Sequence, residues 1–298
     1  MHHLGPRRLH DMECQALHNF LGHLALRVQE DPSRTPLVVW DGRAEFRYAI
    51  HPGYKSDRHK TEEQRTQRAK YQRQVPLIQQ FLHLLGVAQV LANQAEADDV
   101  ACQLTRWLSP RGHSLHLYSS DTDWWQFLAE NVVWQGVRKG EPLVTFEGFT
   151  DHTGYQTPQE YIEGKAMQGD TADSIDGVDR VGPVTAKEIM NRYRTPTNFY
   201  EQLDAGLVIL KNKKALTNLT SQAGRDIWKR NLQLMDLAKA PRLTPEDLRF
   251  KLRSFDENKV KSLCKWWDIP FSRLLPLCNR STRAAGLLDG YGAQLAVA

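Results

Sequence analysis

Short apolar runs that alternate with longer amphipathic stretches constrain the fold of this chain more than any other feature. Leu37 to Trp40 is a continuous apolar run, and comparable runs lie at Val87 to Leu91 and at Leu115 to Tyr118. The stretches between them, Leu77 to Leu85 and Ala97 to Leu108, carry apolar residues at helical spacing. Strands that alternate with helices predict a parallel sheet with right-handed crossovers, and therefore an α/β fold.

Carboxylates follow each of the three predicted strands. In chain order they are Asp41, then Glu96, Asp98 and Asp99, then Asp121 and Asp123. Because the carboxyl ends of parallel strands meet at one edge of a sheet, we expect these acids to lie close together. They would repel one another unless a cation compensates, and Mg²⁺ or Mn²⁺ prefer oxygen ligands. The pattern predicts a site for two divalent ions, about 4 Å apart, that hydrolyses phosphodiesters.

Each acid also has a simpler interpretation. Glu96, Asp98 and Asp99 begin a predicted helix, where negative charge favours the helix dipole. Asp41 at a strand end, and the pair in Asp121-Thr122-Asp123, are also typical of turns. The recurrence of acids after three successive strands favours a common metal site over separate caps and turns.

Composition and charge narrow the class of protein. The 298 residues carry a net charge of +4, and no apolar run approaches the roughly 20 residues of a membrane span. The N-terminus has no secretory signal, and the scattered cysteines predict reduced thiols in the cytoplasm. Basic residues are concentrated between Lys55 and Arg73, apart from the carboxylates. This separation suits an enzyme that binds phosphates on one surface and metal on another.

Three segments resemble the consecutive signatures of the 5′→3′ exonuclease and flap endonuclease family, in its bacteriophage and bacterial forms. They are Glu96 to Asp99, Ser120 to Asp123 and Gly169 to Val178. Order and spacing are similar from about Leu37 to Tyr193, and more loosely to about Cys278. The resemblance implies an α/β, PIN-like (resolvase-like) domain with a central parallel sheet, followed by a helical helix–three-turn–helix domain that binds DNA.

The domain limits are also expectations. The PIN-like domain is predicted over residues 1–155, with a helical arch at about 43–75. The helix–three-turn–helix domain is predicted over residues 156–280. Residues 281–298 are small and poorly patterned, which predicts a mobile tail.

The resemblance assigns carboxylates to two metal regions. The first region consists of Asp41, Glu96, Asp98 and Asp99, and the second of Asp121, Asp123, Asp170 and Asp173. Asp170 and Asp173 are three residues apart and can face one ion, although an ordinary cap before a loop also explains them. Four residues are implied to act directly in catalysis: Lys55, Arg58, Asp98 and Asp121.

The segment from Tyr54 to Arg58 resembles the family's motif at the base of the arch. The resemblance implies that Tyr54 stacks on a terminal base while Lys55 and Arg58 contact the scissile phosphate. Further implied DNA contacts are Lys60, Arg65, Arg68, Lys70 and Arg73. The stretch has few apolar residues, which suits an arch that becomes ordered around DNA. The alternative is a solvated helix in which Glu62 and Glu63 balance the cations.

Residues 177–187 resemble the family's hairpin that holds the duplex backbone. The implied DNA contacts are Gly177, Val178, Arg180, Gly182 and Lys187. Glycines let main-chain N–H groups approach phosphate, and Pro183 suits the first turn of the next helix. The resemblance also implies a K⁺ ion bound by hairpin carbonyls. Val184 replaces the usual lysine, so part of the phosphate contact is expected to move to Arg180 or Lys187. A purely structural helix hairpin is the alternative.

The implied function is that of a monomeric, Mg²⁺- or Mn²⁺-dependent nuclease, with no membrane partner. Its DNA substrates would be 5′ ends, flaps, nicks or RNA–DNA hybrids. The family opens with an apolar strand that ends in an Asp ligand, and nothing before Cys14 resembles it. We therefore expect lower activity and stability than in a version that has this strand. A catalytically impaired DNA-binding protein of the same fold, and a phosphatase with Asp121 as nucleophile, are the alternatives.

Overall fold

The computed structural model describes residues 7–58, 61–138 and 140–288. The strands in these residues are β1 Arg8–Leu9, β2 Met12–Glu13, β3 Leu37–Trp40, β4 Ala88–Ala92, β5 Leu115–Tyr118, β6 Val132–Gln135, β7 Leu143–Val144, β8 Gly169–Asp170, β9 Ile175–Asp176 and β10 Leu248–Lys251. The α-helices are α1 Gln15–Glu30, α2 Glu45–Ile50, α3 Glu62–Leu85, α4 Ala97–Leu108, α5 Phe149–Thr153, α6 Pro158–Gln168, α7 Pro183–Tyr193, α8 Pro196–Asp204, α9 Lys213–Thr220, α10 Gln222–Met235, α11 Glu257–Trp266, α12 Phe271–Leu274 and α13 Ser281–Leu288.

The chain forms two compact units. The first contains the described residues up to Arg43, those between positions 59 and 100, and those from Leu243 onward. The second contains Ala44–Arg58 and the described residues of Ala101–Arg242. The domain limit near residue 155 stays a prediction. Among the described residues, none of the helices is both long enough and apolar enough to span a membrane.

The first unit contains a three-stranded sheet with β4 in the middle. Strand β3 pairs with β4 in parallel, as predicted, with Leu37 opposite Ala88 and Trp40 opposite Leu91. On its other side β4 pairs with β10 in antiparallel orientation. The helical domain predicted over residues 156–280 includes no strand at the position of β10. The sequence signal for this strand is the alternation of buried Leu248 with exposed Arg249, which has the period of two expected of a strand.

Helices cover the sheet of the first unit and form its main apolar core. Leu17 and Leu21 of α1, Phe81 of α3 and Val260 of α11 are all at most 1% exposed. Helix α3 ends at Gly86, which has the left-handed φ of 71° that a glycine adopts without strain. The predicted end of this helix is therefore confirmed.

Helix α3 begins at Glu62, well before the predicted helical stretch Leu77 to Leu85 and inside the segment expected to form the arch. Thr61 accepts a bond from the backbone of Gln64, and the Gln64 side chain accepts one from the backbone of Thr61, which closes a capping box. Residues 61–69 are exposed, and burial becomes continuous only near the C-terminal half of the helix. The stretch expected to become ordered only around DNA is thus a regular helix in the protein alone, because it has a strong N-cap and no early helix breaker.

The second unit contains another three-stranded sheet. Strands β5 and β6 are parallel, with Leu115 opposite Val132, and β6 and β7 form an antiparallel hairpin. Lys139, between these two strands, lies outside the described residues. Helix α6 packs against both α7 and α10, and the indole N–H of the buried Trp228 on α10 donates to the Glu163 carbonyl on α6 at 3.0 Å.

The predicted C-terminal tail differs from the structure at its start. Helix α13 covers Ser281–Leu288, and Ala284 is 2% exposed because it packs against Ala88 and Leu252. Residues 289–298 lie outside the described residues.

Candidate functional site

In the first unit, backbone bonds hold Asp41 beside the start of α4. The Oδ1 atom of Asp41 accepts a bond from the backbone N–H of Ala97 at 3.2 Å. A Cβ at Gly42 would lie 2.4 Å from the Ala95 carbonyl, so only glycine permits this approach. Asp99 accepts from the Glu96 backbone N–H at 2.9 Å, and both side chains are 4% exposed. Asp99 therefore serves the helix start, as its simpler interpretation predicts, and Asp41, for which that interpretation was a turn, binds the same helix start. Asp98 is partly exposed on the first turn.

Tyr71 of α3 lies near enough to Asp41 for the two groups to influence each other electrostatically. Burial raises the pKa of Tyr71, the charge of Asp41 raises it further, and Arg68 opposes both. Tyr71 was missed by the sequence analysis, whereas Arg68 was predicted to contact DNA. Helix α3 thus brings the Tyr71 phenol close to Asp41, and Arg68 close to that phenol.

Other predicted contacts of α3 have partners of their own. Arg65 pairs with Glu62 at 3.0 Å, and Lys70 pairs with Glu13 at 2.8 Å. Arg73 is exposed. Lys60 lies outside the described residues.

In the second unit, a lysine that the sequence analysis missed connects two of the predicted ligands. The Nζ atom of Lys165, on α6, contacts Asp123 Oδ1 and lies 3.1 Å from Asp170 Oδ2. Asp121 caps the short helical turn that follows β5 by accepting a bond from the Asp123 backbone N–H at 2.9 Å. Asp170 accepts in the same way from Ala172 at 2.8 Å. The fold therefore brings two of the predicted carboxylates, Asp123 and Asp170, to one ammonium group, with Asp121 beside Asp123.

The charge balance of this cluster leaves an excess of negative charge. Burial raises the pKa of Asp123 to about 6; Lys165 opposes the rise, and Asp121 and Asp170 add to it. Burial by itself lowers the pKa of Lys165, but Asp123, Tyr161 and Asp170 outweigh it, so the net direction is upward. The lysine stays protonated, but its single charge balances only part of the charge of Asp121, Asp123 and Asp170, which favours the entry of a further cation.

Without added metal, we expect the cluster to make the protein less stable as the pH rises from about 4 to about 6. A carboxyl whose pKa is higher in the folded state than in the unfolded state keeps its proton better when folded. Its contribution is fully present below the unfolded pKa and is lost as the pH rises through the folded value. For Asp123 the loss is on the order of 2–3 kcal/mol. Denaturant unfolding in EDTA at several pH values measures this loss as the difference in the free energy of unfolding between the unmodified protein and Asp123→Asn. A difference that does not change, or that grows, as the pH rises would contradict a raised pKa of Asp123.

Asp173 does not join the Lys165 cluster but is held by the segment before the arch. Arg58 contacts its Oδ1 atom, Lys55 Nζ lies 3.9 Å from its Oδ2 atom, and the Tyr54 hydroxyl donates to Oδ2 at 3.1 Å. The backbone N–H of Lys55 also donates to the Asp173 carbonyl at 2.7 Å. Two cations predicted to bind phosphate thus already hold a carboxylate.

Two features of this segment differ from expectation. Tyr54 is 3% exposed, and its ring packs edge-on against Tyr48, so in the protein alone it positions Asp173 and offers no open face to a base. Lys55 has a left-handed φ of 57°, unusual for a residue with a Cβ. Its side chain is 11% exposed, and its Nζ lies 4.8 Å from the centre of the Tyr54 ring. The fold therefore constrains Lys55 from both backbone and side chain.

The predicted hairpin connects α6 to α7 through β8 and β9. Gly177 is required, because a Cβ there would lie 2.1 Å from the Gln168 carbonyl. Arg180 has a left-handed φ of 64°, and Pro183 is the first residue of α7, as predicted. Lys187 Nζ lies 5.6 Å from the centre of the Tyr155 ring.

Two hairpin carbonyls already accept hydrogen bonds. Asn218 Nδ2 donates to the Asp179 carbonyl at 2.8 Å, and Asn212 Nδ2 donates to the Arg180 carbonyl at 3.0 Å. A K⁺ ion at these two oxygens would have to share them with the amides.

The donors of the second unit suit a hard divalent ion. Asp121, Asp123 and Asp170 offer only carboxylate oxygens, the ligands that Mg²⁺ and Mn²⁺ prefer, and they carry more negative charge than Lys165 balances. Across residues 7–58, 61–138 and 140–288, no three His, Cys, Asp or Glu side chains are already grouped as a metal site. Lys165 accounts for this in the second unit, because its ammonium group lies between Asp123 and Asp170.

Comparison with known proteins assigns the family. Residues 3–154 match the N-terminal resolvase-like domain of the 5′-3′ exonucleases, and residues 156–258 match their C-terminal SAM fold. The chain therefore belongs to the 5′-3′ exonuclease family, and it combines a resolvase-like α/β region with a helical SAM-like region. The predicted family and fold class are confirmed.

Individual relatives fit this assignment. The chain is 28% identical over 281 residues to DNA polymerase I of Streptococcus pneumoniae; the match covers 92% of this chain but only 30% of that protein. It is also 28% identical over 273 residues to the 5′-3′ exonuclease of Aquifex aeolicus, covering 91% of this chain and 87% of that protein.

Solved structures share the fold. A bacteriophage T5 flap endonuclease, crystallised as a complex with DNA and metal ions, superposes with a TM-score of 0.63 at 22% identity, covering 73% of this chain and 79% of that chain. The catalytic core of Rad2 in complex with DNA substrate gives a TM-score of 0.58 at 14% identity, covering 90% of this chain and 85% of that chain.

Proposed function

We propose that this chain is a divalent-metal-dependent, structure-specific 5′→3′ exonuclease or flap endonuclease that hydrolyses DNA near 5′ ends and junctions. The observation that carries the proposal is the grouping of Asp121, Asp123 and Asp170, whose negative charge exceeds what Lys165 balances. A partly buried set of carboxylates with too little positive charge is suited to holding a cation. Membership of the 5′-3′ exonuclease family supports the same reaction.

Mg²⁺ or Mn²⁺ would be held by the carboxylates that follow the strands and α6. The proposed ligands are Asp41, Glu96, Asp98 and Asp99 in the first unit, and Asp121, Asp123, Asp170 and Asp173 in the second. Such ions, when bound, activate a water molecule and stabilise the leaving oxygen of a phosphodiester. K⁺ at the hairpin is a separate part of the proposal and is tested by comparing duplex affinity in KCl and LiCl.

Lys55 and Arg58 are the proposed phosphate contacts. Both pair with Asp173 in the protein alone, so a scissile phosphate would compete with that carboxylate for the same two cations. Cations held in place by the fold stabilise the charge that develops on the phosphate in the transition state. Arg180 and Lys187 of the hairpin, with the basic residues of α3, are the proposed contacts to the rest of the DNA.

Cleavage of a labelled 5′-flap duplex, with Mg²⁺ or with EDTA, tests the proposal. Nicked and gapped duplexes and an RNA–DNA hybrid, assayed in parallel, would identify the preferred substrate. Light scattering would test the proposed monomer, and cell fractionation the proposed cytoplasmic location. Flap binding without metal-dependent cleavage would instead support the second candidate, a catalytically impaired DNA-binding protein. The Lys165 ammonium between the carboxylates favours that candidate, because a metal must compete with it.

A further inference from the structure

Three lysines at the N-terminal end of α9, in the second unit, form a cationic surface. This lysine surface consists of Lys211, Lys213 and Lys214, and all three side chains are exposed. The first turn of α9 contains no acidic residue, and none of the described carboxylates forms an ion pair with any of the three lysines. Three cations within four residues therefore face solvent without local compensation.

This lysine surface is attached to the hairpin by side-chain amides. Asn212, which lies between Lys211 and Lys213 and caps α9, donates to the Arg180 carbonyl at 3.0 Å. Asn218, on the second turn of α9, donates to the Asp179 carbonyl at 2.8 Å. Lys213 is therefore the immediate neighbour of a residue that holds the hairpin turn in place.

A third bond fixes the loop that leads to these lysines. Arg192 of α7 donates to the Ile209 carbonyl at 3.2 Å. Because α7 follows directly from the hairpin, the hairpin, α7 and the start of α9 form one connected surface. The charge of Asp179 in the hairpin is partly balanced already, because its carboxylate lies 3.7 Å from Arg180 Nε.

We infer that the lysine surface binds the phosphate backbone of the same DNA duplex that the hairpin holds, and so lengthens the bound duplex beyond the hairpin. The inference rests on the proposed function. Lysine contacts to phosphate add affinity without reading sequence, and each releases condensed counterions. The competing occupant is an acidic protein, which would pair its charges with the lysines and cover the nearby apolar side chains of Leu207 and Ile209, 60% and 63% exposed. The hydrogen bonds between this surface and the hairpin favour DNA, because a duplex held by the hairpin would continue onto the adjoining lysines.

The test is the salt dependence of duplex binding by the double variant Lys213→Gln, Lys214→Gln. Binding to a blunt, fluorescein-labelled duplex is measured by anisotropy, without divalent ions, from roughly 50 to 200 mM KCl. Two lost phosphate contacts should reduce the slope of log K against log salt by about 1.8 and weaken binding at low salt on the order of tenfold. The exposed position of both lysines predicts no change in thermal unfolding.

The matched control is Lys259→Gln with Lys261→Gln. These lysines of α11 are also exposed, at 62% and 54%, and removing them changes the net charge equally. We expect their variant to keep the unmodified slope. An equal reduction in both variants would overturn the inference, because net charge alone would then explain the effect.

Further outcomes separate this inference from the function on which it rests. If the unmodified chain binds the duplex and the Lys213, Lys214 variant keeps its slope, the lysine surface is refuted while the proposed function stands. Loss of binding to a poly-glutamate peptide, with unchanged duplex binding, would assign the surface to an acidic protein and overturn the inference. If the unmodified chain binds no duplex at all, both proposals fail together.

Discussion

Replacing Asp121 and Asp123 by Asn together is expected to abolish metal-dependent cleavage while flap DNA binding stays within a few-fold. The double variant removes the charge of Asp123, which contacts Lys165, and of Asp121 beside it, and with them negative charge that favours a divalent ion. The proposed DNA contacts on α3 and on the hairpin are untouched. Single-turnover cleavage of a labelled flap and anisotropy in EDTA measure the two effects separately.

A control must separate this effect from a general loss of acidic charge. Asp151→Asn with Asp226→Asn removes the same charge from exposed positions of the same unit and should cleave normally. Because Asp123 contacts Lys165, the active-site variant should also unfold at a different temperature, so both proteins are assayed well below their melting points. Normal cleavage by the Asp121, Asp123 variant would exclude these carboxylates from the mechanism.

Lys55→Ala is expected to lower the single-turnover rate by about 10²-fold or more, with a smaller loss of affinity. The fold holds the Lys55 ammonium 3.9 Å from Asp173 and above the Tyr54 ring, so it is positioned before DNA arrives. A cation fixed in this way stabilises the phosphate more in the transition state than in the bound substrate. Alanine keeps the Cβ, so the left-handed backbone at this position is equally strained in both proteins.

Lys229→Ala is the matched control, since Lys229 is an exposed lysine of the same unit, on α10. It should change neither rate nor affinity. Rates at saturating protein separate chemistry from binding. If Lys55→Ala weakens binding sharply while the bound complex reacts at the normal rate, Lys55 serves only to dock the substrate.

Local signals in the sequence were enough to locate most elements that carry the site. The run Leu37–Trp40, the helix Ala97–Leu108 and the run Leu115–Tyr118 have the predicted limits, because each has a clear hydrophobic period. Gly86 and Pro183 mark a helix end and a helix start for reasons confined to their own backbone. The order of the carboxylate motifs along the chain was also sufficient to indicate the family.

The tertiary structure alone decided which groups meet. Lys165 and Asp123 are 42 residues apart, and Tyr54 and Asp173 are 119 apart, so no local pattern links them. Strand β10 pairs with β4 across more than 150 positions, and its short alternation was too weak to identify alone. Propensity and periodicity depend on neighbours along the chain, whereas charge compensation and burial depend on neighbours in space. The sequence therefore determined where the carboxylates lie along the chain, and only the folded chain determined that Lys165 holds Asp123 and Asp170 while Arg58 holds Asp173.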